Sequence, residues 1–113
     1  MKNFIRIFKA LSDETRLRIY LLLLHNELCV CELKAILKIE QSRISHCMRI
    51  LREADLIESY REGKWNIYLI NKKMENNKVI QGLKDELELP ARYLNSLQRC
   101  KKEDIKNKMK CSK

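Results

Sequence analysis

The sequence predicts a mainly α-helical chain with one small β-hairpin, and three observations carry that expectation. Only two glycines and one proline interrupt 113 residues, so few positions break a helix. Apolar residues recur at helical spacing through most of the chain. Residues 56–70 depart from that spacing and are rich in β-branched and aromatic side chains. The length suits one domain with one modest core.

Residues 3–10 form a short amphipathic helix with Phe4, Ile7, Phe8 and Leu11 on one side. Ser12 is the expected N-cap of the next helix, because its hydroxyl can accept from an orphan backbone N–H. Asp13 and Glu14 then complement the helix dipole. That helix runs from Asp13 to about Leu24 and is apolar nearly all round, which predicts a central, buried position. His25-Asn26 ends it. A third helix is expected from Cys29 to about Leu37, on Val30, Leu33, Ile36 and Leu37. Lys38 to Glu40 is a tight link. A fourth helix follows to about Ala54, with Ile44, Cys47, Met48 and Leu51 at i, i+3, i+4 and i+7. Two helices joined by a short turn, the second polar at its start, match a helix-turn-helix.

After Asp55 the spacing changes. Leu56–Tyr60 and Trp65–Ile70 read as strands, and Arg61-Glu62-Gly63-Lys64 as their turn, with Gly63 supplying a positive φ. A hairpin straight after a helix-turn-helix makes a winged helix. From about Lys73 the chain is helical again. Val79, Ile80, Leu83 and Leu87 form a stripe, Pro90 breaks or restarts it, and Tyr93, Leu94 and Leu97 continue it. The stripe is either a dimer face or packs on the chain's own core. Residues 1–97 are therefore expected to be a winged helix-turn-helix for DNA binding and dimerisation, and residues 98–113 a basic tail.

The net charge of +9 is unevenly spread. From Ala91 to Lys113 there are eight Lys/Arg against two acids, whereas residues 41–64 carry five basic and four acidic groups. The bulk charge thus reports the tail, which is either a solvated extension or an arm for DNA phosphates. Lys2 and Arg6 interrupt any secretory signal, and the apolar run Ile19–Leu24 is too short to span a bilayer. A soluble, cytoplasmic protein with no membrane partner is the expectation. Five cysteines, an odd number without a secretion signal, suit free thiols or metal ligands better than disulfides.

The stretch Glu27-Leu28-Cys29-Val30-Cys31-Glu32-Leu33 sets two cysteines one residue apart, shortly before the DNA-reading helix that opens Gln41-Ser42-Arg43-Ile44-Ser45-His46. A soft-metal trap beside a nucleic-acid reader suggests a sensor that releases DNA when a thiol-seeking ion binds. Thiolates suit such ions far better than carboxylates or water, and the basic Lys34 and Arg43 would favour thiolates. Helical residues i and i+2 point about 200° apart, so Cys29 and Cys31 cannot both grip one ion while both stay helical. Binding should therefore distort the helix start. A third sulfur could come from Cys100 or Cys111, or from an external thiol, and a two-coordinate site is also open. Cys47, on an apolar helix face, reads as a buried small hydrophobe.

For DNA, the polar side chains at the start of the reading helix are Gln41, Ser42, Arg43, Ser45, His46 and Arg49, suited to base edges and phosphates. Arg61 and Lys64 at the wing tip suit phosphate or the minor groove. An enzyme, such as a thiol oxidoreductase, would want a CxxC or a phosphate-cradling glycine loop in an α/β frame, and the chain has neither.

With these residues in view, the chain resembles the ArsR/SmtB family of metal-responsive repressors over roughly residues 4–97. The resemblance rests on Leu11-Ser12-Asp13-Glu14-Thr15-Arg16-Leu17-Arg18-Ile19, on the Cys29–Cys31 stretch, on Gln41–His46, on Leu51-Arg52-Glu53-Ala54-Asp55-Leu56-Ile57 and on Arg61-Glu62-Gly63-Lys64-Trp65. It implies a winged-helix homodimer that binds double-stranded operator DNA, represses its own operon and dissociates on binding metal or metalloid. It also implies As(III) or Sb(III) as inducer, with no organic cofactor and no enzymatic activity. The alternative is a Cd/Pb-responsive or thiol-redox-responsive repressor of the same fold. The third cysteine of the best-known arsenic sensors falls at Lys34 here. No cysteine precedes Cys29, as the cadmium/lead type would want, and no histidine lies in residues 73–100, as the zinc type would want.

Overall fold

The computed structural model describes residues 2–87 and 89–102, the last five by backbone alone. The elements run α1 (Lys2–Leu11), α2 (Glu14–His25), β1 (Leu28–Cys29), α3 (Val30–Leu37), α4 (Gln41–Glu53), β2 (Ile57–Glu62), β3 (Trp65–Ile70), one 3-10 turn (Lys72–Met74), α5 (Lys78–Glu86) and α6 (Ala91–Lys102). This is a winged helix.

Helix α2 is the central element, with Ile19 through Leu23 all buried, as its nearly unbroken apolar surface requires. Around it Leu28, Leu33, Ile44, Met48, Leu51 and Leu56 are almost wholly excluded from water, and truncating any one to alanine would cost about 2–5 kcal/mol. The N-cap of α2 is Asp13, not Ser12: the Arg16 N–H donates to Asp13 Oδ2 at 3.1 Å. Ser12 instead donates its hydroxyl to Lys9 O at 2.7 Å, at the end of α1. A carboxylate at the cap adds charge–dipole attraction that a hydroxyl lacks. Arg16 Nε also donates to Ala10 O at 2.7 Å, capping α1 from outside.

The sheet has three antiparallel strands in the order β1-β3-β2, one more than the expected hairpin. Leu28 pairs with Tyr68 and Cys29 with Ile67, and β2 pairs with β3 from Ile57↔Ile70 to Glu62↔Trp65. The wing turns on Gly63 and Lys64 with Gly63 at φ +61, the conformation that favours glycine.

Helix α4 closes with Asp55 left-handed at φ 59. The Leu56 N–H reaches Leu51 O at 3.1 Å and the Asp55 N–H reaches Arg52 O at 2.9 Å, a Schellman stop built on aspartate rather than glycine. The buried Asn71 holds this turn to the end of β3, donating from Nδ2 to Asp55 O at 2.9 Å and from its N–H to Leu56 O at 3.0 Å. The Tyr20 hydroxyl, wholly buried, is the one described buried side-chain polar atom with no hydrogen-bond partner.

The N-terminal stripe is only partly covered. Ile7, Ala10 and Leu11 are buried, whereas Phe4, Ile5 and Phe8 are 42%, 48% and 53% exposed. The C-terminal stripe divides likewise: Ile80, Leu89, Tyr93 and Leu97 pack inward, and Val79, Leu87 and Leu94 face out. Arg92 and Arg18 lie over the Tyr93 ring at 4.9 and 5.9 Å, tying α6 to α2. Of the expected tail, the backbone is helical to Lys102 and residues 103–113 lie outside the described part.

Candidate DNA-reading face and cysteine site

The 3.6-residue period of α4 decides its two faces. Ile44, Cys47, Met48 and Leu51 are buried against the core, while Gln41, Ser42, Arg43, Ser45, His46 and Arg49 are exposed together on the other side. The link before α4 turns sharply because Lys38 adopts φ 58, ψ 43 at the end of α3. Arg43 donates from a guanidinium N–H to Thr15 Oγ1 at 3.2 Å, steadying the first turn of α4 against α2. Arg49 donates to His46 Nδ1 at 3.0 Å, which needs that ring nitrogen unprotonated. At the wing tip Arg61 Nε donates to Gly63 O at 3.2 Å and Lys64 is exposed. All eight residues expected to meet DNA are therefore solvent-exposed, six on one helix face and two on the wing.

Between α4 and the wing lies a cleft of about 410 Å³, lined by Ser45, Arg49, Arg52, Glu53 and Tyr68. Arg52 and Tyr68 were not among the expected site residues. Arg52 lies in the Leu51–Ile57 stretch and Tyr68 in a strand, and no local signal joins two positions that only the tertiary fold brings together.

The cysteine pair differs from its sequence expectation. Cys29 is not helical: at φ −92, ψ 167 it is both the second residue of β1 and the N-cap of α3. The premise that both cysteines begin in one helix thus fails, and no unwinding is needed to free Cys29 from helical geometry. Its N–H donates to Glu32 Oε1 at 2.9 Å, and the Glu32 N–H turns back to the Cys29 sulfur, a capping box closed by a thiol. Glu32 is itself buried. Burial pushes the Cys29 thiol up to about 11, with the Glu32 carboxylate adding to the rise. Lys34 and Arg43 do not lower it: Lys34 and Arg43 are exposed, and desolvation dominates. Burial likewise raises the Cys47 thiol, which is free.

Cys31 is half-buried in the first turn of α3 and is disulfide-bonded, whereas Cys29 is free. A disulfide runs against the expectation of thiols throughout. Cys100 and Cys111 lie outside the residues whose side chains are described. Among the described residues no group of three or more His, Cys, Asp or Glu could hold a metal ion. With Cys31 reduced, two sulfurs at this position suit a soft, thiophilic ion by their chemistry.

The site is also strapped to the wing. Beyond the β1–β3 pairing, Tyr60 of β2 donates its hydroxyl to Glu27 Oε1 at 2.6 Å, two residues before Cys29. That bond holds the Tyr60 phenol up at about 12.

Comparison with known proteins agrees with this architecture. The family described as "Bacterial regulatory protein, arsR family" matches residues 13–59. The arsenical resistance operon repressor of Bacillus subtilis is 34% identical over 84 residues, covering 74% of this chain and 80% of that protein. A cadmium resistance transcriptional regulatory protein CadC homolog of Staphylococcus aureus is 39% identical over 67 residues, covering 58% of this chain and 55% of that protein. The homodimeric winged helix-turn-helix DNA-binding domain of a possible ArsR-family regulator from Mycobacterium bovis superposes with a TM-score of 0.65 at 26% identity, covering 75% of this chain and 81% of that one. Across the curated relatives the matched stretch spans from 46% to 80% of their length. No described helix is long and apolar enough to cross a membrane. The chain belongs to the ArsR family of winged-helix DNA-binding transcriptional regulators, which are not enzymes.

Proposed function

We propose that this protein is a repressor that grips operator DNA as a homodimer and lets go when As(III) or Sb(III) binds Cys29 and Cys31. One observation supports the coupling above all others: Cys29 belongs at once to the N-cap of α3 and to the strand paired with the wing. A ligand that pulls on its sulfur acts on the wing through β3 and on α4 through α3, which packs against it. Gln41, Ser42, Arg43, Ser45, His46 and Arg49 would enter the major groove, with Arg61 and Lys64 at the flanking backbone. A third sulfur from Cys100, Cys111 or an external thiol would complete a trivalent metalloid. The uncovered Phe4, Ile5 and Phe8 of α1, with the Phe4 and Phe8 rings 6.4 Å apart, support the second copy, because an apolar patch left open on a monomer marks a contact surface.

The disulfide at Cys31 favours a second reading, in which oxidation itself is the signal. In that case Cys31 is withheld from any ion until reduced. Fluorescence anisotropy on operator DNA separates the readings. Under reductant, As(III) or Sb(III) should release the DNA while Cd(II) and Pb(II) act only at far higher concentration. Release by diamide without any ion, and none by As(III), would establish the redox reading instead. Release by Cd(II) or Pb(II) in preference to As(III) would establish the divalent one.

A further inference from the structure

We propose that the cleft between α4 and the wing is a seat for one DNA backbone phosphate, with Arg52 and Tyr68 as contacts additional to the reading face. The inference rests on the repressor reading and deepens it. Ser45 and Arg49 on one rim belong to the exposed face of α4, so the cleft is continuous with the surface that meets the major groove. Arg52 follows Arg49 by three positions and so shares its helix face. Tyr68 of β3 supplies the opposite wall from the wing sheet.

When a recognition helix lies in the major groove and a wing reaches over the neighbouring groove, one phosphate strand must cross the junction between them. That junction is this cleft. Its charge suits the crossing: two guanidinium groups face one carboxylate, Glu53. Arg52 is engaged by no side-chain hydrogen bond or ion pair to a described residue, and neither is the Tyr68 hydroxyl. Arg49 is steadied by His46, whose ring nitrogen orients it without neutralising it. A phosphodiester oxygen would meet a forked donor from each arginine and a hydroxyl from Ser45 or Tyr68. Phosphate contacts carry no sequence information, so the site should add affinity and register rather than specificity.

The test measures affinity for the protein's own operator and for a random duplex of equal length, each across 50–200 mM salt. Arg52→Gln should weaken both duplexes by the same factor, about three- to tenfold, and flatten the salt slope by about one unit. Arg52→Lys should restore the slope. Tyr68→Phe, which keeps the packing, should weaken both duplexes without changing the slope. Thermal melts matched to wild type confirm that the variants fold. Unchanged affinity and slope in Arg52→Gln would overturn the proposal, and so would a loss confined to the operator, which would make Arg52 a base reader. A melt raised by inorganic phosphate in wild type and not in Arg52→Gln, with DNA binding unaltered, would make the cleft a small-anion site and also overturn it. Failure of wild type to bind either duplex would instead sink the repressor reading itself.

Discussion

The reading face and the cysteine site lie on neighbouring elements but are built in opposite ways. The face of α4 is exposed, with Arg43 joined to α2 by a single bond to Thr15 and Arg49 bonded to His46 within the face itself. The cysteine site is buried and cross-tied: Cys29 is 3% exposed and caps α3 through Glu32, its strand pairs with β3, and Tyr60 straps Glu27 to β2. A surface that meets DNA can be adjusted residue by residue. A site that moves the surface must be mechanically continuous with it. Substitutions on the face should therefore change DNA affinity and leave the inducer response alone, and substitutions at the site should do the reverse.

The largest expected effect breaks that comparison from the DNA side. Arg49→Ala should weaken operator binding by about 1–3 kcal/mol while the ratio of affinities with and without inducer stays at its wild-type value, measured by anisotropy. A change in that ratio would mean the two regions are not separable. From the other side, Glu32→Ala removes the carboxylate that receives the Cys29 N–H, and urea unfolding should show a loss of about 2 kcal/mol. Glu32→Gln, which can still close the box, should recover most of it. Tyr60→Phe sharpens the comparison further. It should leave operator affinity near wild type yet cut the inducer-driven change by about 1 kcal/mol, because the wing strap is lost.

Smaller effects test the frame. Tyr20→Phe deletes a buried hydroxyl that has no partner and should stabilise the fold by about 1 kcal/mol. Burial raises both Tyr20, to about 12 from 10.0, and Cys29, to about 11 from 9.0. Each is protonated in the folded state over a range where the unfolded chain has lost its proton. Their contribution is therefore complete below about pH 9 and falls as pH rises through 9–12. Urea midpoints should drop in alkali, and Tyr20→Phe should remove the upper part of that drop. Asp55→Gly relieves a left-handed aspartate and should add somewhat under about 1 kcal/mol.

The parts that local chemistry determines were legible in the sequence. The inward face of α4, the Lys38–Glu40 link and the Gly63 turn each follow from spacing or from one residue's backbone freedom. What escaped depends on pairing across the chain. Cys29 read as the start of a helix because a two-residue strand has no period of its own, and only β3 makes Leu28–Cys29 a strand. Ser12 and Asp13 compete for one cap, and a single-residue choice turns on which carbonyl the loser can reach. Phe4 and Phe8 share a stripe with Ile7 and Leu11, and spacing alone does not say which members of a stripe the chain's own core will cover. Arg52, Tyr68 and the Tyr60–Glu27 bond are likewise products of tertiary approach.

The most direct measurement of the central claim is operator affinity with and without As(III), under reductant, for wild type and for Cys29→Ser/Cys31→Ser. Serine is a good N-cap, so α3 keeps its start in the variant. The account predicts that As(III) weakens wild-type binding by about 5- to 150-fold, and that the variant binds DNA as tightly as wild type and ignores As(III). A variant that still releases DNA on As(III) would show that the cysteine site at the α3–wing junction is not the trigger.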